Sequence, residues 1–336
     1  MGSEALKITG NAQLVLAAAE LQPDIPITKL RAQTGLKDHV VRYTLRKLIE
    51  QRLVREVPFI DIHKLGFTIV DLFFGVATIS RARTDALLRQ LITSPEVVWI
   101  GEFVGEYQIG IGLCVSQPSR VHEFIMQLHQ SFEDVLFQKT LSFQHSMTVY
   151  PRRYLLPDAK DSSPLSSTST QSREVIDTID HQLLQAVAAL PGSSQRELAE
   201  HLGVSPTMID VRLRRLRERG ILIGMVLALA PHELGVTEYK LILRGRGTHP
   251  QLAPAIHRIA QTNPHVTYVI ECLGGWDFEI GVESDDPRDV STLTQLLLFE
   301  FGRFIEAITM LTKVHDHKQR WYPGPATVGK LRARAP

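Results

Sequence analysis

Apolar positions along the chain change their spacing twice, and they do so in the same order in each half. Up to about residue 53 they recur at three- and four-residue steps, predicting helices over 12–21, 28–34 and 38–51, the first capped by Asn11. The same rhythm returns over 181–190 (capped by Asp180), 195–202 and 206–219. Gly35 and Gly203 sit in the turns that join the second and third helix of each set, where a positive φ lets one helix cross the next sharply. The pattern then shifts to β-branched and aromatic residues over 69–79 and 239–243, each behind a matching His, Leu, Gly entry at His63, Leu65, Gly66 and His232, Leu234, Gly235. Helices are expected at 82–93 and 251–262, and strand pairs around glycine turns at 97–115 and 266–282. Amphipathic helices follow at 119–132 and 288–301, with last strands at 139–150 and 306–315. Each half therefore reads ααα and then βαββαβ. The fold class is α+β: two copies of a three-helix, winged helix-turn-helix domain followed by a ferredoxin-like domain.

The halves also match residue by residue. Residues 30–54 align without a gap on 198–222, 168 positions on, and 97–113 fall on 266–282 at a spacing of 169. Two blocks recurring in one order at nearly one spacing indicate a duplicated two-part unit. The implied division is helix-turn-helix 1–56, α/β domain 57–154, linker 155–174, helix-turn-helix 175–225, α/β domain 226–322 and tail 323–336. The linker is rich in Ser, Thr, Pro and Asp and reads as flexible. The tail carries Lys330, Arg332 and Arg334.

Composition changes this picture little. Of 336 residues 44% are hydrophobic and 22% charged, the profile of a globular protein, and no apolar run or leader pattern suggests a membrane, so a cytoplasmic location is expected. Cys114 and Cys272 fall at non-equivalent positions and read as buried free thiols, with no disulfide and no metal. A net charge of +1 means that any attraction to nucleic acid must come from local patches.

Such a patch lies in the third helix of half two, where Arg212, Arg214, Arg215, Arg217 and Arg219 face only Asp210 and Glu218, while Ile209, Leu213 and Leu216 anchor the opposite face. A helix of this kind can lie in a major groove, its first turns (Ser205, Pro206, Thr207, Met208) at base edges and Arg212, Arg214 and Arg215 on phosphates. Half one offers Lys37, His39, Arg42, Arg46 and Lys47, less basic overall because Asp38 and Glu50 offset part of it. Residues 204–222, VSPTMIDVRLRRLRERGIL, resemble the recognition segment of the Lrp/AsnC regulators, with S-P-T at Ser205, Pro206 and Thr207 and the basic run at Arg214 and Arg215. Residues 273–282, LGGWDFEIGV, resemble the glycine, aromatic, aspartate turn of that family's ligand-sensing domain. Half one departs from the pattern, with Lys37, Asp38 and His39 in place of S-P-T and Gln108 where half two has Asp277.

The resemblance implies double-stranded DNA as partner, homo-oligomers formed through the sheets, and a small effector such as an amino acid. From the residues themselves, exposed N–H groups at Gly274 and Gly275 beside Trp276 and Asp277 could hold a carboxylate and an ammonium, with Gly105 and Tyr107 as the half-one equivalents. No G-x-S-x-G, P-loop, H-E-x-x-H or CxxC is present, so neither catalysis nor a cofactor is expected. His315, Asp316 and His317 sit on adjacent strand positions facing opposite ways, which reads as surface. The alternative is a siroheme decarboxylase of the same double architecture, which clusters Arg, His and Tyr around the central sheet; residues 99–111 and 268–282 contain no Arg or His.

Overall fold

The computed structural model describes residues 8, 10–22, 24–77, 81–156, 163–169, 173–247 and 249–324. In half one, α1 (Asn11–Ala19), α2 (Ile27–Thr34) and α3 (Asp38–Glu50) close around Leu16, Leu30, Val41 and Leu48, with Gly35 at φ 70° ending α2. Then come β1 (Val54–Ile60), a short 3-10 turn (Ile62–Leu65), β2 (Thr68–Val76), α4 (Arg81–Thr93), β3 (Val97–Val104), β4 (Ile109–Val115), α5 (Pro118–Phe132) and β5 (Leu136–Val149). β6 (Leu165–Thr168) lies between the halves. Half two repeats the order with α6 (Thr178–Ala189), α7 (Gln195–Leu202), α8 (Pro206–Glu218), β7 (Leu222–Leu229), β8 (Thr237–Gly245), α9 (Leu252–Thr262), β9 (Val266–Gly274), β10 (Phe278–Ser284), α10 (Pro287–Phe301) and β11 (Ile305–Gln319).

Within each half the strand order is that of a ferredoxin-like sheet, β5-β2-β4-β3 and β11-β8-β10-β9. Alone, such a sheet leaves two open edges and one uncovered face, which invites pairing with another chain. Here the two sheets cover each other. β3 pairs with β11 and β5 with β9, all antiparallel, so eight strands close into a barrel with β6 added beside β5. Helices α4 and α5 pack outside one sheet around Leu87, Leu91 and Leu128, and α9 and α10 outside the other around Ile256, Leu293 and Leu297. Phe73, Phe103, Ile242, Trp276 and Leu311 fill part of the interior.

A second junction was not legible in the spacing of apolar positions. β1 and β7, the segments that leave each helical head, pair antiparallel as a two-stranded ribbon with Val57 opposite Val226. Each head therefore packs on the other half's segment: the core of α1–α3 includes Leu227, and that of α6–α8 includes Ile60 and Ile62.

Several expectations change. The linker is partly ordered, since β6 pairs with Ser146–Val149 of β5 and Ser167 Oγ donates to Asp61 at 2.8 Å. Asn11 is the first helical residue rather than a cap, and α6 is capped by Asp177, which accepts from the Asp180 N–H, so Asp180 lies inside the helix. Lys330, Arg332 and Arg334 fall outside the described residues. Among the described residues no helix is long and apolar enough to cross a membrane.

Candidate nucleic-acid interface and barrel interior

α8 is held at both ends by local chemistry. Gly203, at φ 66°, ends α7, the Ser205 hydroxyl accepts from the Met208 N–H, and Pro206 occupies the first helical position. Ile209, Leu213 and Leu216 are buried, which fixes the rotation of the helix and turns Thr207, Met208, Val211, Arg214 and Arg215 outward.

The arginines divide. Arg212 is half-buried and donates to Asp177 and Asp180 at 2.8 and 2.7 Å; Arg217 reaches Asp24 of half one at 3.0 Å; Arg219 meets Glu174. Arg212 is thus engaged within the head: its guanidinium compensates a carboxylate, Asp180, that is 1% exposed. Arg215 has no ion pair among the described residues, and Arg214 has only the exposed i,i+4 pairing with Asp210. An exposed pair of that kind contributes about 0–1 kcal/mol and yields readily to a phosphate.

The sequence ranks half two as the more basic head, yet the folded surface narrows the difference. On α3 and its leading turn, Lys37, His39, Arg42, Arg46 and Lys47 are all exposed, and none takes part in an ion pair among the described residues. Asp38, which offsets them in the sequence, faces Arg31 at 3.7 Å. Tyr43, 63% exposed, stands on the same helix.

The glycine turns differ from the expected carboxylate cradle. The Gly275 N–H donates to the Leu141 carbonyl at 2.9 Å and the Trp276 N–H to Ser142 Oγ at 3.1 Å, both on β5. Asp277 accepts from the Gly245 N–H at 2.7 Å. Trp276 is 2% exposed and packs against Phe73, and Tyr107 is buried with its hydroxyl 3.1 Å from Thr140 Oγ1. Gly274 and Gly105, at φ 145° and 144°, shape equivalent turns, and a Cβ on Gly274 would lie 2.9 Å from the Leu141 oxygen. Of the two N–H groups expected to meet a ligand, that of Gly275 is already taken by β5.

Inside the barrel lies a polar network that sequence reading missed. Lys240 pairs with Glu279, Glu279 also accepts from Trp276 Nε1 at 3.0 Å, and Gln144 donates to Asp71 at 2.6 Å. The Lys240 ammonium lies 4.5 Å from the centre of the Trp99 ring. Burial and the negative charge of Glu279 hold the Asp71 carboxyl well above the usual range, so it keeps its proton. Asp71, Cys272 and Glu279 bring possible metal-ligand atoms within 4.8 Å of one another. Lys240 already supplies the positive charge there, and burial raises the Cys272 thiol, keeping it protonated. The available signal was a lone charge inside an apolar run, as in IVDLFF, YKLIL and FEIGV.

Between the barrel and the β1–β7 ribbon lies a cavity of about 240 Å³. Val57 and Phe59 of β1, Val226 of β7, Lys240, Tyr268, Lys313 and Asp316 border it. Bulges in β11 on either side of His315 and Asp316 turn Asp316 inward, where it pairs with Lys313 at 2.6 Å and accepts from Trp99 Nε1 at 3.0 Å. Asp316 is half-buried at the cavity wall, while His315 is exposed.

Two helix-turn-helix heads set on paired ferredoxin-like domains define a tandem two-part architecture. The winged helix-turn-helix DNA-binding family matches residues 176–223. The proline dehydrogenase transcriptional activator of Rhodobacter capsulatus is 26% identical over 114 residues, which are 34% of this chain and 74% of that protein. Regulatory protein AsnC of Escherichia coli K12 is 34% identical over 61 residues, 18% of this chain and 40% of AsnC. The chain carries an Lrp/AsnC-type helix-turn-helix domain in a tandem architecture. The crystal structure of the siroheme decarboxylase NirDL has the same double fold, with a TM-score of 0.59 and 12% identity over 94% of this chain and 93% of that one.

Proposed function

We propose that the protein is a sequence-specific transcriptional regulator that holds duplex DNA through α3 and α8 and takes a small effector in its α/β domains. The observation that carries this reading is the outward set of cations, Arg42, Arg46 and Lys47 on one head and Arg214 and Arg215 on the other, on helices whose rotation is locked by buried apolar faces. Thr207, Met208 and Val211 lead α8 toward base edges. Replacing Arg214 and Arg215 by Ala weakens binding to all duplexes and flattens the dependence of affinity on salt, by about 0.9 in slope for each phosphate that is no longer neutralised. The Arg42, Arg46 and Lys47 triple variant does the same. Arg212→Ala instead lowers thermal stability and leaves the slope in place. Failure of the protein to bind any duplex from its own genome in a salt-sensitive manner overturns the reading.

The full-length likeness to NirDL favours a tetrapyrrole enzyme as the second reading. The lack of Arg and His on residues 99–111 and 268–282 does not decide against it, because the cavity draws Lys240, Lys313 and His63 from other segments. Size and charge weigh more. About 240 Å³ lies below the roughly 300–1,000 Å³ of a drug-sized pocket, and Lys240, Lys313 and Arg152 are each paired with a carboxylate. A visible absorption band in the purified protein would favour the enzyme.

A further inference from the structure

Two buried polar atoms on the wall of the cavity have no hydrogen-bond partner among the described residues: Nε1 of Trp321, just beyond β11, and Nδ1 of His63, in the 3-10 turn after β1. Leaving such a group unsatisfied costs about 1–3 kcal/mol, so a protein seldom keeps two on the wall of one cavity without use for them. His63 is 5% exposed. Burial pulls the His63 ring below the usual histidine range, which favours the neutral imidazole. A neutral imidazole has one donor and one acceptor nitrogen, and with Nδ1 as the acceptor it seeks a donor. The Trp321 indole N–H seeks an acceptor.

Around this pair the wall is apolar, with Phe59 5.7 Å from the Trp321 ring, centre to centre, and Val57, Val226 and Met147 nearby. The charged groups on the wall are occupied. Lys313 holds Glu238 and Asp316, Lys240 holds Glu279, and Arg152 holds Glu20 and Glu283. A charged guest would have to break one of these pairs or enter uncompensated, and both are costly.

We infer that the cavity between barrel and ribbon is a binding site for a small uncharged molecule with an apolar body, one hydrogen-bond donor for His63 and one acceptor for Trp321. The site is separate from the glycine turns, where the Gly275 N–H is taken by β5. Its floor is the ribbon that leaves α3 and α8, so occupancy bears on the spacing of the two heads; that consequence alone rests on the DNA-binding reading.

The test uses the full chain and three probes of similar size: benzamide (neutral, donor and acceptor), benzoate (anionic) and toluene (apolar). The protein has three tryptophans, and Trp321→Phe identifies the indole N–H resonance of Trp321. Benzamide is expected to move that resonance saturably and to bind more tightly than the other two. Its affinity, read by calorimetry, is expected to fall about tenfold in Trp321→Phe and again in His63→Phe, the loss of one buried bond each. No movement with benzamide, equal or tighter binding of benzoate or toluene, or unchanged affinity in Trp321→Phe overturns the site, and Trp321→Phe keeps the test decisive if His63→Phe does not fold. None of these readouts involves DNA, so failure here and failure of the regulator reading are told apart.

Discussion

Arg152, just past β5 of half one, grips Glu283 at the end of β10 of half two with two parallel bonds, Nε to Oε2 and Nη2 to Oε1, each 2.7 Å. The same guanidinium pairs with Glu20, at the end of α1, and the Arg152 N–H donates to Glu20 at 3.0 Å. Tyr154 adds a 2.6 Å bond to Glu283. One side chain thus ties a head to the barrel and the first half to the second, with two carboxylates 3% exposed or less.

Arg152→Met strands both carboxylates in a buried site. Removing one partner from a buried pair costs about 3–5 kcal/mol, against about 0–1 for an exposed one. Arg152→Lys keeps the charge but loses the planar fork, and falls between the two. Urea midpoints of the three proteins measure this, and a Met variant as stable as the parent would remove the clamp from the account.

Asp71 makes stability depend on pH with a defined sign. Its carboxyl is held above its ordinary value by burial and by Glu279, so the folded protein keeps a proton that the unfolded chain releases near pH ~3.9. The stabilisation is fully present below that value and is lost as pH rises through the folded pKa. Asp71→Asn mimics the protonated acid and retains an acceptor for Gln144. Melting temperatures of the two proteins compared from about pH 5 to about pH 9 should show the Asn variant gaining on the parent as pH rises. A difference between the two proteins that stays constant over this range would show that Asp71 does not hold its proton there.

The edges of the two halves are interchangeable in kind. β3 meets β11 in one junction, and their counterparts β9 and β5 meet in the other. A chain of residues 173–324 alone leaves the outer edges of β9 and β11 without a partner strand, and two copies can close the same barrel. Sedimentation of this fragment should give a dimer, and a stable monomer would mean that closure depends on features particular to half one.

Much of this was written in the chain. The switch from three- and four-residue spacing to β-rich segments, repeated at 168–169 positions, is enough for two heads and two ferredoxin-like domains, because those periods follow from helix and strand geometry. Gly35, Gly203 and Ser205 mark turn and cap through local sterics and local hydrogen bonds. What depends on partners far along the chain was decided only in three dimensions. The segment VREVPFI, with Arg55, Glu56 and Pro58, has weak strand character until β7 lies beside it. Arg212 looks like its neighbours until Asp177 and Asp180, more than thirty residues away, claim it. The N–H of Gly275 looks available until β5, 134 residues earlier, takes it. Spacing sets which side of its own element a residue occupies, whereas the charges and donors left unspent depend on what the other half brings against it.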